Sequence, residues 1–456
     1  MKSIELLPTD KNILNTLVED PFNRNEEISS FLELLTTIEG HFVISIDGQW
    51  GSGKTFFVKQ CELILNSING YAPDSETEEK ILHLSFLEKK ELLKKLKSQT
   101  CIYFDAWAND EYENPIIAIL QTLIDKETFS EKIFSKETIV KVKKIIENIN
   151  KAVISKRTGI NLDKIEENLS YTKDEKGEQQ KNLHNSITEI IKALTKDGQR
   201  LVIFIDELDR CNPRFAVKLL EQIKHYFLID KVTFVITTNI SELSKTICKF
   251  YGENFEGNKY LVRFFDLSLR LSLINAKEYY SYIASTNQDY VFEKYKLDVI
   301  NFLNMSMRSI GRFSLNNELI DYKKFKKSFP IWSPPNEKIY LNIEWAVVPF
   351  LIGLRLTNKE KEQSFLMGNE FDLFKQFLLS SETFWNIFRF EENHKALNKL
   401  CEISNERIDS KYKEKVIKTI YSKCFVNTYY KDYKFDDYTD FWYSVRRQIE
   451  KTLYLD

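Results

Sequence analysis

The sequence predicts an α/β fold built on a parallel sheet, with a helical insertion, a helical subdomain and a helical C-terminal domain. Three observations carry this reading. His41 to Ile46, Leu201 to Ile205 and the run "KVTFVITTN" (231 to 239) stay apolar on both faces instead of alternating, as strands do when helices cover both sides of a sheet. The first run leads into Gly48-Gln49-Trp50-Gly51-Ser52-Gly53-Lys54-Thr55, which fits the phosphate-binding pattern G-x-x-x-x-G-K-[ST] without a gap and opens a helix-compatible stretch. The second run ends in Asp206-Glu207, a strand closing on carboxylates, and loop and carboxylates together define a P-loop NTPase core.

The elements follow in chain order. Residues 1–40 form an N-terminal segment in which Pro21-Phe22 precedes a helix from about Asn25, with Ile28, Phe31, Leu32 and Leu35 at helical spacing. The core spans 41–275. After its first strand, Gly48, Gly51 and Gly53 permit positive φ and close backbone approach, so that several N–H groups converge on phosphate oxygens. The helix from Lys54 brings its N-terminal partial charge to the same anion; Lys54 would reach the β- and γ-phosphates and Thr55 would ligate Mg²⁺.

Residues 114–195 read as a mainly helical insertion, broken by the polar loop "YTKDEKGEQQKN" at 171–182. The turn Lys196-Asp197-Gly198 then starts the second strand. Beyond it Asn212 can cap a helix with Pro213 at its first position, where a missing N–H costs nothing, and Val217, Leu220 and Ile223 form its inward stripe. Residues 276–329 read as a helical subdomain, and "SFPIWSPPNEK" (328–338) marks a boundary. The C-terminal domain, 330–456, is helical and aromatic-rich, and it closes with Trp442, Val445, Ile449 and Leu453 near one helical face.

The chemistry concentrates at the strand ends. In P-loop NTPases the Asp closing the second strand holds Mg²⁺ with the loop Ser/Thr, which selects Asp206 as metal residue beside Thr55. Glu207, one position on, would orient and deprotonate an attacking water, with Asp209 the next candidate. Thr237, Thr238 and Asn239 close the third strand. Asn239 is placed to sense the γ-phosphate, and the bland reading of these three residues is a cap on the helix starting near Ser241.

With these segments in hand, the chain resembles the KAP family of P-loop NTPases, a group that includes a plasmid-encoded phage-exclusion protein and an animal neuronal membrane scaffold. Four stretches carry the resemblance: "DGQWGSGKT" with its tryptophan-containing loop, "IYFDAWANDEYENP" (102–115) with an F-x-x-W element, "FIDELDRCNP" as the Asp-rich second motif, and "KYLVRFFDLSLRL" as the strand region that follows. Together they cover roughly residues 20–315. The resemblance implies an ASCE-type nucleotide-binding domain related to AAA+ and signalling NTPases, ATP as nucleotide, and a bacterial antiviral role as the ATPase of a multi-protein system. It also suggests that Arg308 in "MSMRSIGRF" (305–313) is similar to the arginine by which a helical subdomain reaches the γ-phosphate; a surface ion pair is the alternative for it.

There are two departures from the family pattern. Many members carry membrane spans between the two nucleotide motifs, yet residues 61–200 have no apolar run near the roughly 18–20 residues a span requires. Asp206-Glu207 stands where the family commonly has Asp-Asp.

Composition bounds the partners. With 65 Lys and Arg against 67 Asp and Glu, no global field advertises nucleic acid. The stretches "KKELLKKLK" (89–97) and "KVKKIIENINKAVISKR" (141–157) read as solvated helix faces, while "YKKFKKSF" (322–329) interleaves Lys with aromatics as a nucleic-acid groove would, though no recognition motif surrounds it. Cys61, Cys101, Cys211, Cys248, Cys401 and Cys424 occur singly, which argues against zinc and for reduced thiols in a cytoplasmic protein. The longest uncharged apolar run, Trp345 to Leu354, reads as a buried helix segment.

One chain is short of cations for a phosphoryl transition state. Arg308 would act in cis, whereas Arg210 and Arg214, beside the second motif, would be presented across an interface. The expected assembly is a homo-oligomer or a hetero-complex with operon-encoded partners. The alternative function is a slowly hydrolysing, nucleotide-gated switch or scaffold; a kinase is less well supported, since no mobile Arg-rich lid is visible.

Overall fold

In a computed structural model the protein is described over residues 6–125, 199–226, 230–284, 290–319, 334–404 and 407–426, together with positions 140, 143 and 188. The loop at 171–182, the basic stretch at 141–157 (apart from position 143), "YKKFKKSF" and the closing Trp442 to Leu453 face lie outside the described residues. Those that are described form two compact units, Pro8–Leu273 and one comprising Ile274–Asp456.

The first unit is organised by a five-stranded sheet. Its strands are β1 (Phe42–Asp47), β2 (Gln99–Asp105), β3 (Arg200–Asp206), β4 (Val232–Thr238) and β5 (Leu267–Arg270), in the order β2-β3-β4-β1-β5 with every pair parallel. The apolar runs therefore become strands within a residue or two of where they were expected. Their two-sided hydrophobicity has the expected cause. On β3, Leu201, Ile203 and Ile205 enter one core, while Val202 and Phe204 enter the other.

The first core packs against the helices Pro115–Asp125, Pro213–Tyr226 and Ile240–Tyr251. The second packs against the helices Asp10–Glu19, Asn25–Leu35 and Lys54–Ile68. The Asn25–Leu35 helix begins where expected and buries Ile28, Phe31, Leu32 and Leu35. At about 1.5–3 kcal/mol for each such side chain, this makes the N-terminal segment part of the core, not merely an approach to it. The preceding helix, Asp10–Glu19, has its N-terminus capped by Thr9 through Asn12 N at 3.3 Å. On the helix Lys90–Leu96, Leu92 and Leu96 are buried and the lysines stay in water, so "KKELLKKLK" is a solvated face.

The second unit is helical, with Ala276–Ile283, Tyr290–Phe302, Met307–Leu319, Pro334–Thr357, Phe371–Ser380, Glu391–Leu400 and Ser410–Tyr421 among its elements. Within Pro334–Thr357, the stretch Lys338–Thr357 is long and apolar enough to span a membrane by composition, but 78% of it is buried inside the protein. It packs on Tyr290–Phe302, Met307–Leu319 and Glu391–Leu400, so helices on both sides of residue 330 belong to one unit. Phe350, Phe365, Phe374, Phe377, Tyr421 and Phe425 build an aromatic cluster, with Phe350 and Phe377 stacked at 4.4 Å.

Candidate functional site

Because all five strands are parallel, the loops after β1, β3 and β4 emerge on one edge of the sheet, where open α/β sheets bind ligands. β1 and β3 both pair with β4, which places them two strand spacings, roughly 10 Å, apart. The polar ends of β4 fill that gap. Asp47 lies in register with Thr238, and the ladder's last bond runs from Gly48 N to the Thr238 carbonyl at 3.2 Å.

From there the phosphate-loop sequence turns. Gly51 (φ 79°) and Gly53 (φ 88°) adopt the left-handed conformation that glycine tolerates. Gly48 does not; it is needed for a different reason, since a Cβ there would meet Ser52 Oγ at 2.6 Å. The Ser52 carbonyl accepts from buried Arg24 Nη2 at 3.5 Å, and Arg24 is ion-paired with Glu27, so the Asn25–Leu35 region braces the loop. Ser52 Oγ is buried with no hydrogen-bond partner.

Lys54 opens the helix behind this loop, and its Nζ donates to the carbonyls of Gly48 and, at 3.1 Å, Gln49. Burial pulls the ammonium below its usual range, while the carboxylates of Asp209, Asp206, Glu207 and Asp47 act in the opposite direction. Thr55 follows in the same first turn. A glycine cradle, a helix N-terminus, an orphaned hydroxyl and a cation ringed by carboxylates fit a bound polyphosphate.

Asp206 ends β3 and is 1% exposed. Its Oδ1 accepts from Thr237 Oγ1 and from Glu207 N at 3.0 Å, and its Oδ2 accepts from Tyr103 OH at 2.9 Å. A carboxylate offers about four acceptor sites, so three donors leave capacity for a cation. Burial and then the Asp206 charge push the Tyr103 phenol up. Tyr103 was not among the sequence candidates. Its signal was a hydroxyl-tipped residue in an otherwise apolar run, two positions before the end of β2.

Glu207 sits in the left-handed region at φ 61°, a conformation that costs a non-glycine residue about 1–3 kcal/mol and that clusters at functional sites. Its Oε2 is ion-paired with Arg210 Nε. Burial and then Asp206 push its carboxyl up to about 7, against the lowering effect of Arg210. Arg210 is thus engaged within its own chain, with its guanidinium 5.5 Å over the Trp107 ring, whereas Arg214 is exposed. These intrachain contacts involve the same Arg210 that was expected to be presented across an interface. Asp209, the next candidate base, has its Oδ2 taken by Trp50 Nε1 at 2.6 Å.

Asn212 caps the next helix through Arg214 N at 3.0 Å, with Pro213 first in the helix, as the sequence indicated. Of the residues closing β4, Thr237 touches Asp206 and Thr238 Oγ1 is buried without a partner. Asn239 makes no side-chain cap on the helix backbone, and its Oδ1 accepts from Ser241 Oγ at 2.9 Å. The helix's first N–H, that of Ile240, is taken by Asp47 Oδ1 at 3.0 Å. Arg308 and Arg312 lie exposed on the Met307–Leu319 helix of the second unit. Among the described residues no cluster of His, Cys, Asp and Glu forms a ready-made metal cage, and the six cysteines are free thiols.

Two comparisons bear on this site. Residues 24–323 match the model of the KAP family P-loop domain. An uncharacterized protein of Methanocaldococcus jannaschii is 27% identical over 181 residues, an alignment covering 32% of this chain and 89% of that protein.

Proposed function

The chain belongs to the KAP family of P-loop NTPases, and on that premise we propose that it is a Mg²⁺-dependent ATPase. The observation that supports this best is the convergence of Lys54, Asp206 and Glu207 on one sheet edge, with Lys54 under the combined charge of Asp209, Asp206, Glu207 and Asp47. A site that only held a nucleotide would not need a second, destabilised carboxylate beside Asp206.

In this reading the amides around Gly51 and Gly53 and the Lys54 ammonium hold the β- and γ-phosphates. Thr55 and Asp206 would hold the metal, which would supply charge neutralisation at the phosphates when bound. Tyr103 and Thr237 keep the Asp206 carboxylate aimed by donating to it. Glu207, lifted toward neutrality by its surroundings, takes the proton from a water in line with the γ-phosphate. Asn239, following β4, orients that water. Gly48, Gln49, Trp50 and Ser52 shape the loop.

Two variants test the reading. Lys54→Ala is expected to abolish tight ATP binding in calorimetry, and Glu207→Gln to keep binding while lowering turnover by about 10²–10⁴-fold, the usual worth of a general base. Wild-type turnover in Glu207→Gln would remove Glu207 from the base role. The wild-type chain binding ATP without releasing phosphate would favour the nucleotide-gated switch. The place in antiviral defence rests on the family resemblance; Lys54→Ala in the native operon should then lose phage protection in a plaque assay, and unchanged protection would rule it out.

A further inference from the structure

Two exposed tryptophans flank the site, Trp50 at 48% and Trp107 at 53% exposure, and each is tied to one residue of the same short turn. The turn is the single 3-10 turn Leu208–Arg210, which follows Glu207 directly. Trp50 Nε1 donates to Asp209 Oδ2 at 2.6 Å; an indole has only that one donor, and Asp209 is 7% exposed. Arg210 lies 5.5 Å over the face of Trp107 and pairs through Nε with the Glu207 carboxylate. One turn therefore joins the phosphate loop, the end of β2 and the carboxylate assigned as base.

We propose that Asp209 and Arg210 are positioning residues: the Trp50–Asp209 bond carries the state of the phosphate loop to the turn, and Arg210, seated on Trp107, passes it to Glu207. This rests on the ATPase reading and deepens it. The geometry leaves few alternatives for the turn. Its backbone closes through Arg210 N to the Glu207 carbonyl at 3.1 Å and Cys211 N to the Leu208 carbonyl at 3.4 Å, so it moves as a unit. Glu207 in its left-handed conformation is held by this turn and by Arg210. A shift of Trp50 when phosphate enters its loop must displace Asp209 or break a charge-assisted bond. By linkage, whatever fixes the turn also favours the nucleotide-bound loop.

The test uses the full chain. Trp50→Phe keeps an aromatic ring at an exposed position and removes the N–H together with the pyrrole half of the indole, so folding is not at stake; an unchanged melting temperature confirms it. Turnover should fall by about 10–100-fold, as a misplacement of about 1 Å does, with a smaller loss of ATP affinity that reports the reciprocal coupling. Asp209→Ala should lose as much, the double variant no more than either alone, and Asp209→Asn, which still accepts through its amide oxygen, should recover part. Trp107→Phe should recover most of what Trp107→Ala loses.

A readout independent of turnover comes from hydrogen exchange in the Glu207→Gln background. ATP should protect the amides of 51–55 and of 207–211, and Trp50→Phe should keep the first protection and lose the second. Equal protection of 207–211 with and without the Trp50 N–H, or additive losses in the double variant, would overturn the proposal. Wild-type turnover in Glu207→Gln alone would instead overturn the base assignment, so the two failures are distinguishable.

Discussion

At the scale of single residues, Glu207 carries the most testable chemistry. A base must be deprotonated to act, and this carboxyl is pushed up to about 7 by burial and by Asp206. Turnover should therefore rise as pH climbs toward neutrality and flatten above it. A cation held at Asp206 opposes the raising effect of that neighbour, so the midpoint in kcat should lie at or below about 7. Measuring kcat between pH 5.5 and 8.5 checks this, and a profile without an acid-side fall would contradict the base role. Lys54, Thr55, Asp206 and Glu207 were legible in the sequence because adjacent positions in a motif are held together by the chain itself. Tyr103 was not. Its bond to Asp206 spans 103 positions and exists only because β2 pairs with β3.

At the scale of elements, close approach decides more than propensity. Gly48→Ala would drive a methyl to 2.6 Å from Ser52 Oγ, inside the loop proposed to hold the phosphates. It should weaken ATP binding by more than about 10-fold, roughly one charge-assisted hydrogen bond, while the melting temperature changes little. In the second unit, Gly353→Ala would place its methyl 2.6 Å from Leu303 Cδ1 and 2.8 Å from Val299 Cγ1, between Pro334–Thr357 and Tyr290–Phe302. Overpacking of this kind costs about 1–3 kcal/mol, so chemical denaturation should show a loss of that size, with nucleotide affinity retained. The helices and strands themselves were readable from period and caps. Residue 330 looked like a domain boundary because prolines cluster there, yet proline marks a local break in the chain and does not report which helices later pack together.

At the scale of the whole molecule, the supply of cations remains the deciding question. P-loop enzymes commonly gain about 10³–10⁵ in rate from an arginine delivered in cis or by a neighbour. Arg210 pairs with Glu207 in its own chain, and exposed Arg214 is the candidate to act across an interface. We predict an ATP-promoted homo-oligomer or hetero-complex, with modest activity for the isolated chain. Light scattering of Glu207→Gln with and without ATP should show a rise in mass. Mixing Glu207→Gln with Arg214→Ala should restore turnover that neither has alone. A monomer at all concentrations with full activity, and no partner in pull-downs, would show the assembly idea to be wrong.

The sequence by itself determined the α/β class, the order of the nucleotide motifs, the phosphate loop and the carboxylates that face it. Those are local: hydrophobic period, glycine placement and motif spacing act over a few residues and survive without knowledge of the rest of the chain. Only the tertiary structure decided which strand lies between the loop and Asp206, that Thr237 and Tyr103 hold that carboxylate, and that Trp50 and Trp107 are bound to the second motif. Each of these joins residues tens to hundreds of positions apart. The side chains involved are common types whose roles are set by strand order and burial, which one chain of letters does not display.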